Sequence, residues 1–112
     1  MHAIRFHLRA PQHPDGPPAT PHPPSPEAVR DALARGLPAP ARIEHARILV
    51  EPTAVDGVAF VLADGLLTAE AALTAACTTL TGRAGLLPDW RVPHCALDTL
   101  LALGLHELPT VP

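Results

Sequence analysis

The sequence predicts one α+β domain, spanning residues 1–112, in which four strands form an antiparallel sheet and helices cover one face. Three observations support this class. Strand and helix periodicities follow one another in the order β-α-β-β-α-β. A chain of 112 residues has the length of a single domain. Its apolar share of 47% is enough for a core, which must be mainly aliphatic because only 3% of the residues are aromatic.

The first strand is predicted at residues 2–9, where apolar and polar side chains alternate. The two faces of this strand carry Ile4, Phe6 and Leu8 on one side and Arg5, His7 and Arg9 on the other. One face therefore belongs to the core, and the other is polar.

A proline-rich surface loop is predicted at residues 10–25. Eight of the residues from Pro11 to Pro26 are proline, which fixes φ and removes the backbone donor, so neither a helix nor an inner strand fits. We interpret the loop as a stiff spacer that carries the chain around the end of the sheet. Its PxxP spacings offer the alternative of binding an aromatic groove as a polyproline II helix.

The first helix begins with a clear start signal. Ser25 is the predicted N-cap, Pro26 the first helical residue, and Glu27 lies near the positive helix end. The helix is predicted to end near Gly36, because Pro38 prevents its continuation.

Two strands are predicted next, at residues 42–51 and 58–63. The second of them is apolar on both faces, which is typical of a central strand. Because the connection is short and contains the turn signal Asp56-Gly57, the two strands are expected to form an antiparallel hairpin.

The last elements are a helix, a strand and a terminal helix. The helix is predicted between Thr68 as N-cap and Gly82 as C-cap. Its buried stripe is predicted to consist of Leu73, Ala76, Cys77 and Leu80. The strand at 89–97 contains Pro93, which favours an edge position or a bulge. Asp98 is then expected to cap a leucine-rich C-terminal helix.

This order of elements resembles the ferredoxin-like fold, a β-α-β-β-α-β sandwich with an antiparallel sheet in the spatial order 4-1-3-2. The resemblance concerns the element pattern and no sequence family. It implies central first and third strands, edge second and fourth strands, and helices on one face of the sheet.

The other sheet face is predicted to be open and to have an apolar centre with a polar border, as a protein interface has. Seven side chains are expected beneath the helices: Ile4, Phe6, Leu8, Ile48, Val50, Phe60 and Leu62. Leu49 and Ala63 are expected on the open face. The predicted interface, which includes the C-terminal helix, comprises Arg5, His7, Arg9, His45, Arg47, Ala59, Val61, Leu100, Leu101 and Leu105.

The function predicted from this surface is non-enzymatic: self-association, most simply as a homodimer, or docking to a protein partner. One alternative is a cofactor-free enzyme of the dimeric α+β barrel type, an oxygenase or isomerase, with His7, His45 and His94 as candidate acid–base groups. Another is a sensor that binds a small ligand over the sheet. An enclosed cavity of roughly 300 Å³ with inward histidine would favour the enzyme or the sensor.

Several other functions are disfavoured by the residues. A formal net charge of −3 and a predicted open face without aromatic residues argue against nucleic-acid binding. No apolar run is long enough to cross a membrane. No HxH, HExxH or CxxC spacing indicates a metal site, and no motif indicates a cofactor.

The cysteines and the overall composition indicate the setting of the protein. Cys77 and Cys95 are expected to be reduced thiols in the cytoplasm, since no secretory signal is recognised. Cys95 could be a nucleophile with His94 or His7 as its base. All eight basic residues are arginine, which suggests a GC-rich bacterium such as an actinobacterium.

Overall fold

The computed structural model describes residues 1–11 and 23–98. Within them the chain forms six elements: β1 (His2–Arg9), α1 (Pro26–Gly36), β2 (Arg42–Val50), β3 (Ala54–Leu62), α2 (Leu66–Leu80) and β4 (Arg91–Leu97). The strands make one sheet in the order β2-β3-β1-β4, with each neighbouring pair antiparallel. The α+β class, the four-stranded antiparallel sheet and the two helices are therefore confirmed. Counted from β4, the order is β4-β1-β3-β2, so β1 and β3 are central.

Two predicted regions lie outside the described residues. They are most of the proline-rich loop and the C-terminal helix, to which Leu100, Leu101 and Leu105 belong. Within the described part of the chain, no helix is long and apolar enough to cross a membrane.

The N-terminal end of α1 follows from three consecutive residues. The Ser25 side chain accepts a hydrogen bond from the backbone N–H of Ala28 at 3.1 Å, and Pro26 occupies the first helical position. Glu27 lies in the first turn, where the helix dipole favours a negative charge. The helix ends at Gly36. Both predicted ends of α1 are thus confirmed.

Removing this cap should destabilise the protein. We expect Ser25→Ala to lower the free energy of unfolding by about 1 kcal/mol, because the Ala28 N–H loses its acceptor. Ser25→Asp should retain most of the stability, since a carboxylate can accept the same hydrogen bond. Urea denaturation of the three proteins measures the difference, and equal losses in both variants would contradict the capping role.

The hairpin between β2 and β3 turns earlier than the sequence suggests. The predicted turn at Asp56-Gly57 is wrong, because both residues lie inside β3. The turn is instead closed by the Glu51 N–H, which donates to the Ala54 carbonyl at 2.8 Å. Gly57 lies directly opposite Phe6, and a Cβ atom at Gly57 would be 2.5 Å from Phe6 Cζ. Glycine is required at this point of the strand because the Phe6 ring packs over it.

The faces of β3 are the reverse of the prediction. Ala59 and Val61, predicted on the open face, are fully buried on the helix side. Phe60 and Leu62, predicted beneath the helices, are half-buried on the open side. A strand that is apolar on both faces contains no pattern to set its register, and a shift of one residue exchanges the two faces. Ala63, also predicted on the open face, packs against the core.

A bulge in β2 moves one further residue. The register between β2 and β3 shifts between Ile43 and His45. Ile43 therefore packs against the core together with Ile48 and Val50, whereas strict alternation placed it beside His45. The core positions of Ile48 and Val50 are confirmed.

The remaining elements agree with the sequence in position and differ at their ends. The helix α2 begins at Leu66 after Gly65 rather than after Thr68, and it buries the predicted stripe that contains Cys77. In β4, the pairing with β1 is irregular around Pro93, at the edge of the sheet. The predicted edge position is confirmed.

Candidate functional site

The sheet surface opposite the helices is the candidate site, and we call it the open face. Its side chains come from alternate positions of all four strands and are set by the strand pairing. They are Arg5, His7, Arg9, Arg42, His45, Arg47, Leu49, Asp56, Val58, Phe60, Leu62, Arg91 and His94.

An apolar strip runs along the middle of the open face. Val58, Phe60 and Leu62 occupy successive open positions of β3, and each is half-buried. Leu49 extends the strip on β2 and is 59% exposed. The His45 ring lies 5.8 Å from the Phe60 ring, with an angle of 36° between their planes. The strip is thus a shallow apolar surface accessible to a partner.

Positive charge surrounds the apolar strip. The open face carries five of the eight arginines of the chain, and all five are exposed. Two of them have acidic neighbours: Arg5 lies 3.8 Å from Asp98, and Arg42 lies 3.1 Å from Glu44. The open face is therefore cationic, although the whole chain carries a net charge of −3.

A histidine–carboxylate pair lies within the open face. His7 Nδ1 and Asp56 Oδ1 are 2.6 Å apart, with the two side chains 24% and 39% exposed. The carboxylate binds one ring nitrogen and thereby orients the other, as in a general base. His94 lies opposite His7 in the strand pairing, whereas His45 is separated from His7 by β3. Of the three predicted acid–base candidates, the fold brings two together.

Two depressions in the surface of the described residues do not meet the criterion for an enclosed ligand site lined by histidine. The depression over the sheet measures about 260 Å³ and is open to solvent, with Arg5, Arg47, Leu49, Asp56 and Val58 among its lining residues. A larger one of about 410 Å³ lies between the ends of α1 and α2. Histidine lines neither of the two. The enzyme and sensor alternatives remain predictions.

The two cysteines meet on the other side of the sheet. Cys77 is fully buried in α2, and Cys95 packs against the core from β4. Their thiols are close enough for each to shift the pKa of the other. His94 points to the open face and cannot act as the base for Cys95, so the predicted cysteine–histidine pairing with this residue is wrong.

The interaction between the two thiols shifts their pKa values in opposite directions. A hydrogen bond from Cys77 lowers the pKa of Cys95 to about 7. Burial and the nearby Glu70 carboxylate raise this pKa, whereas the Thr74 hydroxyl lowers it further. The pKa of Cys77 is raised strongly by the same hydrogen bond and by burial. Near neutral pH, Cys95 therefore exists partly as a thiolate while Cys77 keeps its proton.

The predicted interface residues fall into three groups. Five lie on the open face as expected: Arg5, His7, Arg9, His45 and Arg47. Ala59 and Val61 belong to the core instead. The three leucines Leu100, Leu101 and Leu105, predicted to belong to a C-terminal helix, lie outside the described residues.

Sequence reasoning missed Val58, Phe60 and Leu62 as members of the open face. No sequence pattern marks them, because β3 is apolar on both faces and its register depends on the packing of Phe6 over Gly57. Sequence reasoning also missed the contact between the two cysteines, whose separation along the chain matches no motif.

No family model matches the chain, and comparisons with curated proteins and with solved structures find no significant match. Among the described residues, no group of three or more histidine, cysteine or acidic side chains is placed to hold a metal ion.

Proposed function

We propose that this protein is a non-enzymatic docking domain of ferredoxin-like architecture whose open face binds an acidic protein surface. The observation that carries the proposal is the ring of five exposed arginines around the half-buried apolar strip of β3. The ferredoxin-like assignment is supported by the β-α-β-β-α-β element order together with the strand order β4-β1-β3-β2.

The apolar strip favours a protein partner over a small ligand. Interfaces combine an apolar centre with a polar rim, and the open face has this arrangement. Val58, Leu62 and Leu49 are aliphatic and form a shallow surface, which suits extended contact with another protein. Small ligands prefer concave pockets that enclose most of their surface.

The charge of the rim favours an acidic partner over a second copy of the chain. In a two-fold contact between open faces, the same arginines would face one another. The acidic side chains on or beside the open face already have basic partners: Asp56, Asp98 and Glu44. Contact with an acidic protein surface would instead pair opposite charges and accelerate association.

A single-stranded nucleic acid fits the open face less well than an acidic protein. Phe60 lies on this face, so the sequence-based premise that the face lacks aromatic residues is wrong. Nucleic-acid-binding sheets stack several bases on aromatic side chains, however, and here the neighbours of Phe60 along the strand are aliphatic.

Charge reversal on the open face should weaken binding of an acidic probe. Fluorescence anisotropy would follow a labelled peptide of alternating glutamate and leucine. We expect Arg47→Glu to weaken its binding about threefold to tenfold at low salt, and Phe60→Ser to weaken it further. Arg30→Glu on α1 is the matched control, because it makes the same charge change on the helix side and should have little effect.

Further measurements distinguish an acidic protein from other possible partners of the open face. A peptide of alternating lysine and leucine should not bind, and oligouridylate should bind more weakly than the glutamate peptide. Tighter binding of oligouridylate, sensitive to Arg47→Glu, would replace the protein partner with a nucleic acid. A dimer seen by light scattering and abolished by Phe60→Ser would identify a second copy as the occupant. Equal effects of Arg47→Glu and Arg30→Glu would overturn the role of the open face.

A further inference from the structure

The contact between Cys77 and Cys95 is a property of the fold and is separate from the open face. The two residues belong to different elements, α2 and β4, and are brought together between the helix and the edge of the sheet. Cys95 lies opposite Phe6 in the strand pairing, which places it on the core face. Cys77 approaches it from the buried stripe of α2.

A second contact between the same two elements fixes this arrangement. The Leu97 N–H of β4 donates to Glu70 Oε2 of α2 at 2.9 Å. Glu70, Thr74 and Cys77 are spaced by four and then three residues, so they lie on one side of α2. Cys95 and Leu97 share one face of β4 because they are two residues apart. Glu70 therefore meets Leu97 while Thr74 and Cys77 meet Cys95.

We propose that Cys77 and Cys95 form a redox-sensitive dithiol in which Cys95 attacks a small hydroperoxide and Cys77 closes the disulfide. Cys95 is only partly buried, at an edge strand, so a small oxidant can reach its sulfur. Cys77 is fully buried and meets the oxidised Cys95 without exposure to solvent. A bulky disulfide oxidant fits this partly buried residue less well than hydrogen peroxide does.

The chemistry balances in two steps. The Cys95 thiolate attacks one oxygen of the hydroperoxide; an S–O bond forms, the O–O bond breaks, and the departing oxygen takes up the proton that Cys95 released. The Cys77 sulfur then attacks the Cys95 sulfur; an S–S bond forms, the S–O bond breaks, and the leaving hydroxide becomes water with the Cys77 proton. Two thiols lose two electrons, and one hydroperoxide gains them. The disulfide joins α2 to the edge strand covalently.

The oxidation is measured on the full chain with hydrogen peroxide near pH 7.5. We expect intact-protein mass spectrometry to show a loss of about 2 Da, with the disappearance of both maleimide-reactive thiols and full reversal by dithiothreitol. Cys95→Ala should leave Cys77 unoxidised. Cys77→Ala should gain about 16 Da on Cys95, as a sulfenic acid that dimedone traps.

The pH dependence of alkylation tests the hydrogen bond between the thiols. Among the described residues, the titratable groups that act on Cys95 are Cys77 and Glu70, both from α2, while β1 presents the apolar Phe6. Because the thiolate is the reactive form, alkylation of Cys95 by iodoacetamide should accelerate as the pH rises, with a midpoint near the Cys95 pKa of about 7. In Cys77→Ala the donor is absent, so the midpoint should move to higher pH. Thr78→Val is the control, because the Thr78 hydroxyl bonds to the Thr74 carbonyl instead.

Three outcomes would overturn the proposal. They are stable oxygen adducts on the wild-type chain without an internal disulfide, a disulfide between two chains, and an unchanged alkylation midpoint in Cys77→Ala. The wild-type mass measurement needs no substitution, so it decides the matter even if a variant fails to fold. A failure here leaves the docking proposal untouched, because the cysteines lie on the opposite side of the sheet.

Discussion

Val61→Asp is expected to prevent folding, whereas Phe60→Asp is expected to leave a folded protein. Val61 is fully buried on the helix side of β3, and an aspartate there would place an unpaired charge in the aliphatic core. The cost exceeds about 4 kcal/mol, which is a large part of the stability of a small domain. Phe60 is half-buried on the open face, so its replacement removes a partial contact and should cost about 1 kcal/mol.

Circular dichroism and thermal melting of the two variants measure this difference. The pair is well matched, because the same residue is introduced at adjacent positions of one strand. The opposite result, with Val61→Asp folded and Phe60→Asp unfolded, would restore the sequence-based prediction that Phe60 lies beneath the helices. It would also remove Phe60 from the proposed docking surface.

Gly57→Ala is expected to lower the free energy of unfolding by about 2–3 kcal/mol. The new Cβ would lie 2.5 Å and 2.8 Å from two atoms of the Phe6 ring and 2.9 Å from the Arg47 carbonyl oxygen. Neither neighbour can yield easily: Phe6 is fully buried, and the carbonyl belongs to the backbone of β2. Urea denaturation would measure the loss.

Gly65→Ala is the matched control, because a Cβ at Gly65 meets nothing within 4 Å and its φ of −158° is extended backbone. We expect it to cost less than about 1 kcal/mol. Phe6→Leu should partly relieve the clash of Gly57→Ala. The double variant should therefore lose less free energy of unfolding than the two single variants lose in sum. Additive losses would show that the ring of Phe6 is not the cause.

The sequence was sufficient to predict those elements that are determined by residues close together in the chain. The alternation in residues 2–9 fixed β1, and Ser25 and Pro26 fixed the start of α1, because these features act between residues close in the chain. Pro93 marked an edge strand for the same reason, since it lacks the backbone donor that an inner strand needs.

The register of β3 could not be obtained in this way. Its residues are apolar on both faces, so either face could have been the core. The choice depends on the packing of Phe6 over Gly57, between residues that are distant in sequence. A shift of one residue in the predicted register exchanged the faces of Val61 and Phe60. The apolar part of the candidate site was therefore predicted on the wrong side of the sheet.

The amino-acid pattern of this protein was enough to establish the α+β class, the order of its elements and the polar residues of β1. The apolar strip of the open face, its two further arginines Arg42 and Arg91, and the cysteine pair follow from the folded chain alone. Five arginines from three strands share one surface, and Cys77 contacts Cys95, because strand pairing and helix packing join residues far apart in sequence. Composition and spacing do not encode such proximity, since they describe neighbours along the chain and not neighbours in space.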